Sequence, residues 1–231
     1  EHRPTAEFGR KAIAAARPNE VRQGNHGAGT GSHAGLLKGG IGTASVVLAG
    51  GVTVAALVAL NSSGTVFDPR TGRLWGLDRG LPGEFGGVRT PTRADLRRHH
   101  DEPLTYHQLN TTLAVIATDA VVDKGGLARI AGAGHDGMAR AIDPIHQFVD
   151  GDVVFALATG TTPVPPIQGA PRHDGDVGGV LRPYANPRVD LVPVIAAAAD
   201  FVSRAIVHAA LDAESAGPLM SYLDRFPSAR R

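Results

Sequence analysis

Four short runs constrain the fold more than any other feature: SVVLA at 45–49, VTVAALVAL at 52–60, TTLAVIATDAVV at 111–122 and VVFALAT at 153–159. Each is rich in β-branched residues and nearly continuous in apolar character, the pattern of strands covered on both faces. Gly50-Gly51 between the first two is a hairpin signal. Between the last two, small or apolar residues at 127, 130, 131, 134, 138, 141 and 142 follow helical spacing, so a helix is expected over 126–142. Strands interleaved with a helix indicate a layered α/β fold.

The remaining chain is punctuated by turns, in keeping with its 30 glycines and 16 prolines. An Ala-rich helix is expected over 4–17, with Thr5 as N-cap and Pro18 ending it. Residues 24–42 are glycine-rich. Residues 62–110 read as a long exposed excursion with one helix at 92–99 and a polar run, Arg97-Arg98-His99-His100-Asp101-Glu102. A Pro/Gly-rich loop is expected over 160–188. Asp190 is then expected to cap a last helix reaching about residue 213, with Pro193 tolerated in its first turn.

Composition excludes several function classes. Lys and Arg number 23 against 22 Asp and Glu, so no strong field draws nucleic acid or an anionic membrane. The longest apolar run, 52–60, falls short of the ~20 residues needed to span a bilayer. There is no cysteine, which removes disulfides, thiolate zinc sites and Cys nucleophiles and fits a cytoplasmic location.

Several chemical signals reduce to structural ones. The glycine-rich stretch matches neither the dinucleotide fingerprint nor GxxxxGK[ST], and a close backbone approach explains it better. His99, His100 and His107 lack zinc-ligand spacing and read as a solvated face. His135 and Asp136 are neighbours on a helix and point apart. No GxSxG elbow supports a Ser-His-Asp triad. No metal or cofactor is expected.

One setting stands out. A long polar loop ends abruptly at Asn110-Thr111, where a buried strand begins. An autoprocessed N-terminal nucleophile is placed in this way. A Thr hydroxyl needs a base beside it, and a freed α-amine supplies one on the same residue. Its ordinary pKa of ~7.7–8 suits proton transfer near neutral pH.

The blocks GAGTGSHAGLLKGGIGTASVVL (27–48), TVAALVALNSSG (53–64), NTTLAVIATDA (110–120), HDGMARAIDPIH (135–146) and DGDVVFALATG (150–160) occur together and in order. In these blocks the chain resembles the N-terminal-nucleophile hydrolases that include β-peptidyl aminopeptidases, L-aminopeptidase/D-amidase-esterases and endo-type nylon-oligomer hydrolases. The resemblance implies a four-layer αββα sandwich, with residues 1–231 forming a single hydrolase domain. It implies a precursor that cuts itself before Thr111 into pieces 1–110 and 111–231, through an N-to-O acyl shift at a strained bond. The pieces would stay together, and the heterodimers would assemble into a larger homo-oligomer.

The same resemblance carries roles to individual residues. Thr111 is the nucleophile, Lys38 lies near it, and Asn61 stabilises the oxyanion. Asp150 and Asp152 form an acidic pair that holds the nucleophile's amine. Without the resemblance, these residues read as a solvent-facing Lys, a strand-end Asn and a turn. Family precursors also carry a further N-terminal third, with an Ala-Tyr-Gly block whose Tyr reaches the active site. None of Tyr106, Tyr184 and Tyr222 sits in such a block, so the chain is expected to lack that portion. The implied activity is hydrolysis of a small peptide or amide. Two rivals stand beside it: an acyltransferase on the same scaffold, like ornithine acetyltransferases, and an inactive assembly subunit.

Overall fold

The computed structural model describes residues 4–18, 20–98, 110–166 and 190–230. Its elements run α1 (Ala6–Ala15), β1 (His33–Ala34), β2 (Leu37–Lys38), β3 (Gly40–Val47), β4 (Thr53–Leu60), α2 (Arg93–Arg98), β5 (Leu113–Ala120), α3 (Lys124–Ala139), β6 (Val153–Thr162), α4 (Val192–Leu211) and α5 (Tyr222–Arg225). The four β-rich runs form one sheet in the order β3-β4-β5-β6. β3, β4 and β5 are antiparallel neighbours, and the β3–β4 hairpin turns at Gly50-Gly51 with Val47 opposite Thr53. β6 is parallel to β5, as a strand returning through a helix must be.

α3 and α4 cover one face of this sheet. Asp123 starts α3 by accepting a bond from the Gly126 N–H at 2.7 Å. Val54, Ala56, Val58, Leu60, Ala114 and Ile116 point into the core against the small side chains of α4. The glycine-rich stretch does allow close approach: a Cβ on Gly42 would lie 1.9 Å from the Ala205 carbonyl oxygen, so only glycine lets β3 meet α4.

Several expectations shift. Thr111 and Thr112 precede β5 rather than opening it, because their N–H groups bond to Asn61 and Asp152 and not to a ladder. Leu191, not Asp190, occupies the N-cap of α4, although Asp190 still accepts from the Val192 N–H at 3.1 Å. Burial alternates along β3, β4 and β5. The sheet is therefore packed on one face among the described residues, not on both. Val47, Leu57, Phe155 and Leu157 remain exposed on the other, the surface that a second sheet would cover in a four-layer sandwich. α4 is long and apolar enough to cross a membrane by length and composition, which the shorter apolar runs did not suggest, yet 72% of it is buried in the fold. The polar cluster His99 to Glu102, His107, Tyr106, Tyr184 and most of the 160–188 loop lie outside the described residues.

Candidate active site

Strand directions bring separated stretches to one rim of the sheet. Gly40 pairs with Leu60, so the start of β3 meets the end of β4. Ala59 pairs with Leu113, which sets the start of β5 beside the same end. Leu113 pairs with Val153, and β6 begins there too. Lys38, Asn61, Thr111, Asp150 and Asp152 therefore sit at strand ends on a common edge.

The Asn110–Thr111 peptide is held from both sides. Thr111 N–H donates to the Asn61 carbonyl at 2.9 Å, and Asn110 N–H donates to the Val149 carbonyl at 3.3 Å. The buried Asn110 carbonyl accepts from the Gly151 N–H at 3.0 Å and from Thr111 Oγ1 at 2.5 Å. A Cβ at position 151 would come within 3.1 Å of that hydroxyl, so the turn rests directly against it. A backbone N–H aimed at a carbonyl oxygen polarises the carbonyl and stabilises charge developing there.

The two aspartates have different surroundings. Asp152 uses both oxygens: Oδ1 accepts from the Thr112 N–H at 2.9 Å and Oδ2 faces His146 Nδ1 at 2.8 Å. Asp150 Oδ2 accepts from the Ser63 N–H at 2.8 Å, while Oδ1 is buried without a partner. Burial, reinforced by the negative charge of Asp152, pushes the Asp150 carboxyl up to about 6, against the pull of the Ser63 N–H and His146. In the unbroken chain neither carboxylate is the partner of the Thr111 N–H, which bonds to Asn61.

Asn61 Oδ1 accepts from the His33 N–H at 3.1 Å, which orients the amide and leaves its Nδ2 without a partner among the described residues. Lys38 is fully buried. Its Nζ donates to the carbonyls of Gly29 at 2.6 Å and Gly39 at 2.7 Å, and burial draws its pKa below the ordinary lysine value. Neither of those bonds reaches Thr111.

The sequence reading missed two contributors. His146, six residues before Asp152, bonds that carboxylate, and His135 Nδ1 lies 3.2 Å from His146 Nε2. The block HDGMARAIDPIH contained both, but no helical spacing links them; a loop folds His146 back onto α3. Among the described residues, Ser63 Oγ, Asn110 Oδ1, Thr112 Oγ1, Gln147 Nε2 and Asp150 Oδ1 are all buried here without partners. Such a concentration of unsatisfied polar atoms is costly for packing and makes this rim the candidate site. Among the described residues, no group of three or more His, Asp or Glu is arranged to hold a metal.

The model of peptidase family S58 matches residues 2–219. An uncharacterized aminopeptidase of Mycobacterium tuberculosis is 43% identical over 98% of this chain and 63% of its own length. A 6-aminohexanoate-oligomer endohydrolase of a Kocuria species is 32% identical over 73% of this chain and 48% of its own. Among solved structures, a Burkholderia β-aminopeptidase superposes with a TM-score of 0.62 at 28% identity, covering 98% of this chain and 58% of that one. The L-aminopeptidase D-Ala-esterase/amidase of Ochrobactrum anthropi, described as a variant of the N-terminal-nucleophile hydrolase fold, gives 0.59 at 27%, covering 94% and 53%. The chain thus spans less than two thirds of the curated relatives it matches, and its sheet and helices are part of that α/β sandwich. By sequence and by fold, the chain belongs to peptidase family S58.

Proposed function

We propose that this chain carries the nucleophile of an amide hydrolase that activates itself by cutting the Asn110–Thr111 bond. One observation carries the reading: Thr111 Oγ1 and the Gly151 N–H converge on the carbonyl that would be cut. In the first step Thr111 Oγ attacks the Asn110 carbonyl carbon. Gly151 N–H holds the developing oxyanion, and the Oγ proton passes to the departing nitrogen. Water then hydrolyses the resulting ester, leaving a carboxylate on Asn110 and a free α-amine on Thr111.

During turnover that amine accepts the Oγ proton as the hydroxyl attacks a substrate amide. Asn61 Nδ2, without a partner among the described residues and at the same rim, donates to the substrate oxyanion. Asp150 and Asp152 hold the new amine once cleavage frees it from Asn61. The substrate class is a small peptide or peptide-like oligoamide, a reading supported by the aminopeptidase and oligomer-endohydrolase names of the relatives.

Intact-mass measurement and N-terminal sequencing test the proposal. Wild-type protein yields a new N-terminus at Thr111, and Thr111→Ala stays uncut while keeping its fold. Efficient cleavage of Thr111→Ala at the same bond sinks the reading.

A further inference from the structure

Among the described residues, His146 is the one non-glycine residue with a left-handed backbone, at φ 55°. That conformation is disfavoured for L side chains. Its effect is to set the ring between a buried carboxylate and solvent. The Asp152 side chain is 1% exposed and that of His146 43% exposed. Because a carboxylate only accepts, His146 Nδ1 carries the hydrogen in the bond to Asp152. In the neutral ring Nε2 is then the acceptor, and His135 Nδ1 donates to it. The two rings also meet edge-on, with centroids 4.9 Å apart. The line Asp152–His146–His135 runs outward from the same turn that supports the Asn110–Thr111 bond.

We propose that His146 is a positioning residue that fixes which member of the acidic pair carries a proton: it holds Asp152 as a two-acceptor carboxylate, leaves the proton to Asp150, and with His135 forms the proton's route to solvent. The inference rests on the self-cleavage reading above. The ionisable groups around the ring are Asp150 and Asp152 from the turn before β6, and His135 and Asp136 from α3. The charge of His146 favours the ionised form of Asp150, so removing it makes that carboxyl harder to ionise. Cleavage that needs an ionised Asp150 then demands a higher pH.

The test follows the rate of cleavage at Asn110–Thr111 in the full chain from about pH 4.5 to about pH 8.5. His146→Asn tolerates the left-handed backbone and keeps an N–H donor near the Nδ1 position, but cannot become charged. Its acid limb moves up by about half to one pH unit, and at high pH it is slowed only about threefold. His146→Ala loses the donor as well: its acid limb moves as in the Asn variant, and its rate at high pH falls about tenfold. Circular dichroism establishes that both variants are folded before rates are compared. An Asn variant with the wild-type limb, or an Ala variant that matches the Asn variant throughout, overturns the inference while leaving self-cleavage standing. A wild-type chain that never cuts overturns both.

Discussion

Among the described residues, two clusters that combine a carboxylate with a histidine are built in opposite ways. In one, Glu84 faces α4. Its Oε2 accepts from Arg204 Nε and the Leu81 N–H, and its Oε1 from Arg204 Nη2 and His208 Nε2, all at 2.7–2.8 Å. Burial alone would raise this carboxyl, but those donors hold it down to about 2. In the other, Asp150 has one donor on one oxygen, nothing on the second, and a second carboxylate nearby; its pKa moves the opposite way. A carboxylate satisfied on both oxygens helps fix the fold, whereas an under-satisfied one is ready to take up a proton or bind a new partner.

The largest expected effect tests whether the rim performs chemistry. Asn61→Ala removes an unpartnered amide donor while the neighbouring strands keep their ladder. Turnover of an aminoacyl amide should fall by ~10²–10³, the usual loss for one oxyanion donor. Thermal unfolding should move far less, since the lost bond is a single one from His33. Unchanged turnover in a folded Asn61→Ala protein breaks the contrast, because the rim would then be structural as well.

Next comes the cluster assigned to stability. Glu84→Ala leaves Arg204, whose side chain is 5% exposed, as a buried cation without its carboxylate. Stripping one partner from a buried pair is costly, and unfolding in urea should show a loss of about 2–3 kcal/mol. Cleavage at Asn110–Thr111 at a temperature well below unfolding should stay near the wild-type rate. A cleavage defect comparable to that of a rim variant would show that the two clusters are not separate in function.

What could be read from sequence follows the same division. The strands were legible because β-branched runs at 45–60, 111–122 and 153–159 need no tertiary information to declare themselves. Thr111 showed itself by its setting at the end of a polar loop, but the other four rim residues were legible only through the resemblance, since Lys38, Asn61 and the Asp150–Asp152 turn have ordinary local patterns. Their convergence depends on the sheet order β3-β4-β5-β6, which no local signal encodes. His146 escaped because its role depends on a left-handed backbone and a return of the loop onto α3. Glu84 lay in a stretch read as an exposed excursion, and its partners are more than a hundred residues away on α4.

The smallest expected effect separates the clusters by the sign of their pH dependence. Asp150 has a folded pKa raised from 3.8 to about 6, so the native state gains from its proton below 3.8 and loses that gain as pH rises through 6. Glu84 has a folded pKa depressed from 4.5 to about 2; its contribution is present above 4.5 and is lost as pH falls toward 2. Above about pH 5 Glu84 no longer contributes, so of the two only Asp150 gives a slope between pH 5 and 6. Asp150→Asn keeps an oxygen for the Ser63 N–H but cannot ionise, so that slope should flatten. Native stability above pH 6 should rise by no more than about 1 kcal/mol, because the carboxyl is only partly buried. Cleavage should slow by about tenfold at the same time, since the carboxylate placed to relay the Oγ proton to the departing nitrogen is gone. Stability and activity moving in opposite directions is the signature of a residue kept for its chemistry. If Asp150→Asn instead lowers stability across the whole pH range and leaves cleavage intact, the Asp150–Asp152 turn belongs with Glu84 among the groups that hold the fold.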